Sequence, residues 1–179
     1  IANITLPERA LYLRVVADEI KRIASHLFNL GMLAHLIHNT TLMRELLETR
    51  EDFQDLKEAI WGNRMDLSAN TIGGVKFDLD EKVIATIKET LDKNRSRVEA
   101  FIALFETDAV LIARIGGVGV LSHEDALKLG VVGPVARASG VNNDVRKRAP
   151  YAAYDKLDFD VVLQKDGDVL SRAKVRLYE

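Results

Sequence analysis

Val16, Ile20, Ile23, Leu27 and Leu30 follow one another at steps of four and three. Only a helix of 3.6 residues per turn puts all five on one face, so this stretch reads as an amphipathic helix reaching Ile37. Thr5-x-x-Glu8 supplies a capping-box pattern at its start, and Pro7 is tolerated in a first helical turn. A second seam, Leu42, Leu46, Phe53, Leu56 and Ile60, stops near Gly62. A third follows the candidate cap Asp80 and carries Ile84, Ile87, Leu91, Val98, Ile102 and Phe105, with the polar Asn94 on the same face. Long helices of this kind dictate a bundle.

Shorter signals fill the rest. Gly73-Gly74 marks a turn, and a helix over 108–115 ends at Gly116-Gly117. Ser122-x-x-Asp125 opens another short helix that closes at Gly130. Asp166-Gly167 sits between "FDVVLQK" and "DVLSRAKVRL", and Ala173, Val175 and Leu177 alternate with Lys174, Arg176 and Tyr178. That combination predicts a C-terminal β-hairpin. The expected fold class is therefore mainly α (α+β). A helical bundle spans 1–130, and an ordered loop plus the hairpin packs on it over 131–179, as one structural domain.

Composition excludes several functions. A net charge of −2 gives no electrostatic basis for a nucleic-acid partner. With no Cys, the chain itself has no disulfide, thiolate nucleophile or thiolate metal site. No apolar run approaches the roughly 18 residues of a membrane helix, and no signal-peptide pattern opens the chain. The first residue is Ile1 rather than Met, so the chain reads as a piece of a longer protein.

The candidate chemistry lies in two places. Asp18, Arg22 and His26 are spaced by four and share one helix face, where His26 could titrate near neutrality. A lone His in such a row is more often part of a surface network. His35 and His38 are three apart but lack a third metal ligand, and His123 belongs at a helix start on the surface. Gly116-Gly117-x-Gly119 lacks the Lys-Ser/Thr of a phosphate loop. The second place is "GVVGPVARASGVNNDVRKRAPYAAYDKLDFDV", Gly130 to Val161. It crowds Arg137, Asp144, Arg146, Lys147, Asp155, Asp158 and Asp160 around Tyr151 and Tyr154. A loop of this length stays ordered only when such groups pair with one another or with a partner. It is either a staple between hairpin and bundle, or a wall of a buried site or subunit interface.

That segment, with the "GD" and "VR" after it, resembles the large subunit of energy-converting [NiFe] hydrogenases and the homologous quinone-site subunit of respiratory complex I. "PERALYLRVVADEIKRIASHL", "ETREDF", "GNRM", "IGGVKFDL" and "EDALKLGVVGP" match in the same order, over nearly the whole chain. The resemblance implies an oxidoreductase module on the cytoplasmic side of a membrane complex, in its peripheral arm. The partners it implies are an iron–sulfur small subunit and membrane subunits that couple the reaction to ion translocation. The family histidine of "RIxSHL", here His26, lies near a 4Fe–4S cluster in the small subunit, and Arg22 adds positive charge beside it. Arg64 of "GNRM", with Arg137, Asp144, Arg146, Lys147, Tyr151, Tyr154 and Asp155, is placed at the intersubunit region and cavity.

The departures from the family pattern matter. Such hydrogenases hold their nickel–iron centre with two Cys pairs, one towards each end of the subunit, and this chain has neither. It therefore carries no metal site or cofactor of its own, and taken alone it is expected to be inactive. The complex I relatives bind quinone through a His and a Tyr upstream of this region. "SHLFNLG" and "TIGGVKFDL" favour the hydrogenase branch, as does Leu36 where quinone relatives carry Asp. A quinone-site subunit of NADH:quinone oxidoreductase, and a metal-free scaffold homologue, stay open as alternatives.

Overall fold

The computed structural model describes residues 4–65 and 69–179. Helix α1 (Glu8–Leu36) opens behind Pro7, which has no side-chain cap. The expected capping box does not form: Pro7 takes the cap position, and Glu8 pairs with Lys156 instead. The buried face of α1 is Ala10, Val15, Ala17, Ile20, Ala24, Leu27, Leu30, Gly31 and Ala34. Val16 and Ile23 of the predicted seam are only half-buried, so the inward face is rotated slightly and is richer in small residues. Those small residues let the next helix approach closely. A Cβ on Gly31 would lie 3.1 Å from Leu47.

Helix α2 (Thr40–Trp61) is capped by Asn39, which accepts the Leu42 N–H at 3.1 Å, and it ends at Gly62 in the left-handed conformation. It packs along α1 and buries Leu42, Leu46, Phe53, Leu56 and Ile60, as its seam predicts. Strands β1 (Asn70–Thr71) and β2 (Gly74–Val75) form a minimal antiparallel pair, with Asn70 opposite Val75 and Thr71 opposite Gly74. Arg14 of α1 donates to the Thr71 and Gly74 carbonyls at 2.7 and 2.8 Å and holds this turn in place.

Helix α3 (Glu81–Thr107) starts at Asp80, which accepts the Val83 N–H at 2.8 Å. Phe101 and Phe105 are buried, and Asn94 is only 1% exposed, donating to the Thr90 carbonyl. Helices α4 (Ala109–Ile115), α5 (His123–Lys128), α6 (Gly133–Ala138) and α7 (Val145–Arg148) follow, then a 3-10 turn at Tyr154–Lys156 and α8 (Val169–Tyr178). The segment expected as one long loop is thus built from short helical turns. The chain divides into two compact units: Ile1–Arg95 with Tyr151–Lys156, and Ser96–Pro150 with Leu157–Glu179.

The C-terminal β-hairpin is not there; its second arm is α8. Asp168 caps that helix by accepting the Ser171 N–H at 2.7 Å. The alternation that mimics a strand arises because α8 is covered by both α6 and α4. Ser171 and Val175 face one side, Ala173 and Leu177 the other, each pair four apart, and all four are buried. Gly167 is not a hairpin turn residue. It lies at φ 65°, donates to the Ala138 carbonyl at 3.0 Å, and accepts the Leu121 N–H at 2.9 Å.

Candidate functional site

Helix α1 carries Asp18, Glu19, Arg22 and His26 on one side. Arg22 sets its Nη1 3.5 Å from Nε2 of His26, one turn on. One turn back it pairs with Glu19, whose Oε2 accepts Nε at 3.0 Å and also accepts Nη2. The other Glu19 oxygen accepts the Tyr154 hydroxyl at 2.7 Å. Tyr151 meets Tyr154 edge to face, with ring centres 4.9 Å apart, and interacts electrostatically with Asp18. The Glu19 carboxylate on α1 is therefore tied to Tyr154 of the 151–156 segment.

That segment is pinned for local reasons. Ala152 takes φ 51°, Ala153 is fully buried, and the Tyr154 N–H donates to the Tyr151 carbonyl at 3.1 Å. Lys156 pairs with Glu8 and lies over the Tyr12 ring. Burial, and then the acceptor and charge of Glu19, push the Tyr154 hydroxyl far above the ordinary tyrosine range. Burial, then the Asp18 charge, raises Tyr151 as well. Both rings therefore stay protonated donors at neutral pH. Burial also raises Asp18, outweighing the interaction with Tyr151 that would lower it.

In the second unit, Asp144 caps α7 by accepting the Arg146 N–H at 2.9 Å. The Arg146 side chain returns to it with a two-point pair, Nε–Oδ1 3.0 Å and Nη2–Oδ2 2.6 Å. Arg137 lies 3.6 Å from the same carboxylate and 2.5 Å from Glu179. Burial acts to raise Asp144, but the Arg146 hydrogen bonds and the charges of Arg146 and Arg137 outweigh it and hold the acid below its ordinary range. Phe159 receives both the Arg146 guanidinium at 4.9 Å and the Lys147 ammonium at 4.5 Å from its ring centre.

The remaining candidates fall elsewhere. Arg64 is held on the acidic face of α2 by Glu51 and Asp55, with Glu58 at 3.8 Å. Lys147 and Asp155 are exposed. His123 is exposed as expected, with Nδ1 2.9 Å from the Ser139 carbonyl. The glycines at 116–119 do not cradle an anion, because the Gly117 N–H already donates to the Asp168 carboxylate at 2.7 Å.

Residues 37–179 match the model of the respiratory-chain NADH dehydrogenase 49 Kd subunit. The chain belongs to that family. Its relatives extend the match across α1 as well, where His26 lies. The carbon monoxide-induced hydrogenase of Rhodospirillum rubrum is 49% identical over the whole chain and 50% of its own length. An NADH-quinone oxidoreductase subunit of Dehalococcoides mccartyi is 38% identical over the whole chain and 49% of its own length. Among solved structures, a chain of the membrane-bound sulfane sulfur reductase, an archaeal respiratory membrane complex, superposes with a TM-score of 0.91 at 32% identity. That superposition covers 98% of this chain and 47% of the other. The chain thus spans about half the length of the relatives it matches.

The chain has no Cys, so these 179 residues supply no thiolate to a metal. Among the described residues, no group of three or more His, Cys, Asp or Glu could hold a metal ion. No helix among them is long and apolar enough to cross a membrane. Sequence reasoning placed Asp18, Arg22 and His26 together but missed Glu19. The available signal was its position three residues before Arg22, a productive ion-pair spacing.

Proposed function

We propose that this chain is the cluster-facing part of a hydrogenase-type large subunit. In this reading a small partner subunit holds a 4Fe–4S cluster beside His26. Membrane subunits of the same complex couple electron transfer to ion movement, and the module belongs to the peripheral arm on the cytoplasmic side. The observation that carries it is the Arg22–His26 pair, an always-charged guanidinium 3.5 Å from an imidazole nitrogen. A fixed cation close to a cluster favours its reduced form, and a titratable ring beside it links electron arrival to proton uptake.

The relatives carry names of three different reactions, yet all share this half of the subunit. That supports a role common to all three, electron delivery and subunit contact, with the distinguishing chemistry lying in other parts. The hydrogenase reading has the stronger likeness, 49% identity against 38% for the quinone reductase relative. The second reading, a subunit lining a quinone site, is supported by the family model, which is named for an NADH dehydrogenase subunit, and by the NADH-quinone oxidoreductase relative. Within the 130–161 segment, Arg137, Asp144 and Arg146 are buried against one another and shape the turn. Tyr151, Lys147 and Asp155 are exposed and are the ones assigned to a partner surface or cavity wall.

The test is to purify the complex through a tag on this subunit and assay hydrogen evolution from a reduced viologen beside quinone reduction. Hydrogen evolution, with a His26→Gln variant that flattens the pH dependence of one cluster potential, supports the proposal. Quinone reduction without hydrogen evolution transfers the chain to the second reading. Neither activity, with no cluster signal, leaves the scaffold role.

A further inference from the structure

We infer that Glu19 and Tyr154 are positioning residues for the Arg22–His26 pair, fixing the guanidinium on Nε2 of His26 and so selecting the imidazole tautomer whose proton is on Nδ1. A neutral imidazole has one N–H and one acceptor nitrogen. Arginine offers donors only, so a guanidinium N–H directed at Nε2 requires the lone pair there and the proton on the other nitrogen. Arg22 Nη1 stands 3.5 Å from that atom.

A guanidinium on a flexible stem stays in one place only if its other edges are held. Glu19 takes the Nε and Nη2 edge, which leaves Nη1 for His26. Glu19 could itself swing, since it is on a half-exposed face, but its second oxygen is tied to the Tyr154 hydroxyl at 2.7 Å. Tyr154 is rigid: its side chain is buried, and Ala153 before it is fully buried. A rigid residue 135 positions away thus sets the far end of a chain Tyr154–Glu19–Arg22–His26. The selected tautomer leaves His26 with a donor at Nδ1. Its use in electron transfer rests on the function proposed above; the tautomer selection does not.

The experiment uses the 179-residue chain labelled with 15N-histidine. Of its four histidine signals, the one lost in His26→Gln belongs to His26. Ring 15N shifts and long-range proton couplings, recorded where imidazole is neutral, report the tautomer directly. The protein should show the Nδ1–H form at His26. Glu19→Gln and Tyr154→Phe should each raise the Nε2–H population several-fold. Lys156→Gln loosens the same segment from Glu8 without touching Glu19 and should leave the ratio unchanged. If Tyr154→Phe does not fold, Glu19→Gln carries the test, because it removes one charge from a half-exposed position. A His26 already in the Nε2–H form overturns the inference. So does a ratio unmoved in Glu19→Gln, or one moved equally by Lys156→Gln. No cluster is involved in this readout, so its failure is distinct from an unchanged cluster potential in the complex.

Discussion

Asp168 joins Gly117 to the start of α8: one carboxylate oxygen accepts the Gly117 N–H and the other accepts the Ser171 N–H, both at 2.7 Å. The acid is 5% exposed, so both bonds lie out of solvent in the folded protein. Burial acts to raise its pKa, and the two backbone donors more than offset this and lower it. Asp168→Ala loses a helix cap and strands a buried N–H. It should destabilise the protein by about 2–3 kcal/mol in urea unfolding. A change below about 0.5 kcal/mol, the level of an ordinary surface substitution, would show that the carboxylate is not the cap.

Acid should weaken the fold through Asp144 and Asp168. Both are held below the ordinary carboxylate range in the folded protein. A depressed folded pKa gives stability that is fully present above the unfolded value, about 3.9, and is lost as pH falls through the folded one. Asp18 has the opposite sign, because its folded pKa is raised. It favours the folded state at low pH and opposes it as pH rises through that value. Unfolding midpoints measured from neutrality down to acid should fall below about pH 4 in the native sequence. Asp144→Asn should flatten that limb and cost about 3 kcal/mol at neutrality, since Arg146 and Arg137 are left buried without their shared anion. An unchanged acid limb in Asp144→Asn contradicts the assignment.

Gly167 should not tolerate a side chain. A Cβ there would lie 2.1 Å from the Leu121 carbonyl oxygen, and the residue sits at φ 65°. The backbone cannot retreat without giving up its bonds to Ala138 and Leu121. Gly73, at φ 88°, has open space around it, with nothing within 4 Å of where a methyl carbon would stand. Gly73→Ala should therefore cost only the left-handed backbone penalty, about 1–2 kcal/mol. Gly167→Ala should cost clearly more. Equal thermal shifts for the two would refute the close approach.

The three long helices were legible because each repeats an apolar residue every turn over many turns. α8 was not, because Ala173, Val175 and Leu177 are buried on two sides of a short helix, and that pattern has the period of a strand. The Asp18–Arg22–His26 row could be read because helical spacing alone places it. Its supports could not. The Tyr154–Glu19 bond joins residues far apart in the chain, and no local spacing encodes it. The segment at 130–161 was recognisable as ordered from its paired charges. Its division between two compact units has no counterpart in the local pattern.

The isolated chain should hold no stoichiometric nickel and evolve no hydrogen. A tight nickel–iron site relies on thiolates, and the chain has none. His35 and His38 are the remaining pair at a plausible spacing, and both are exposed at the end of α1, with His38 at φ 58°. Two imidazoles on open surface give weak, exchangeable binding. Nickel taken up during purification should therefore leave on treatment with a chelator, and a His35→Gln, His38→Gln double variant should take up less. Metal analysis after dialysis against chelator decides it: one nickel per chain would place a site in this protein that neither its composition nor its described side chains provide.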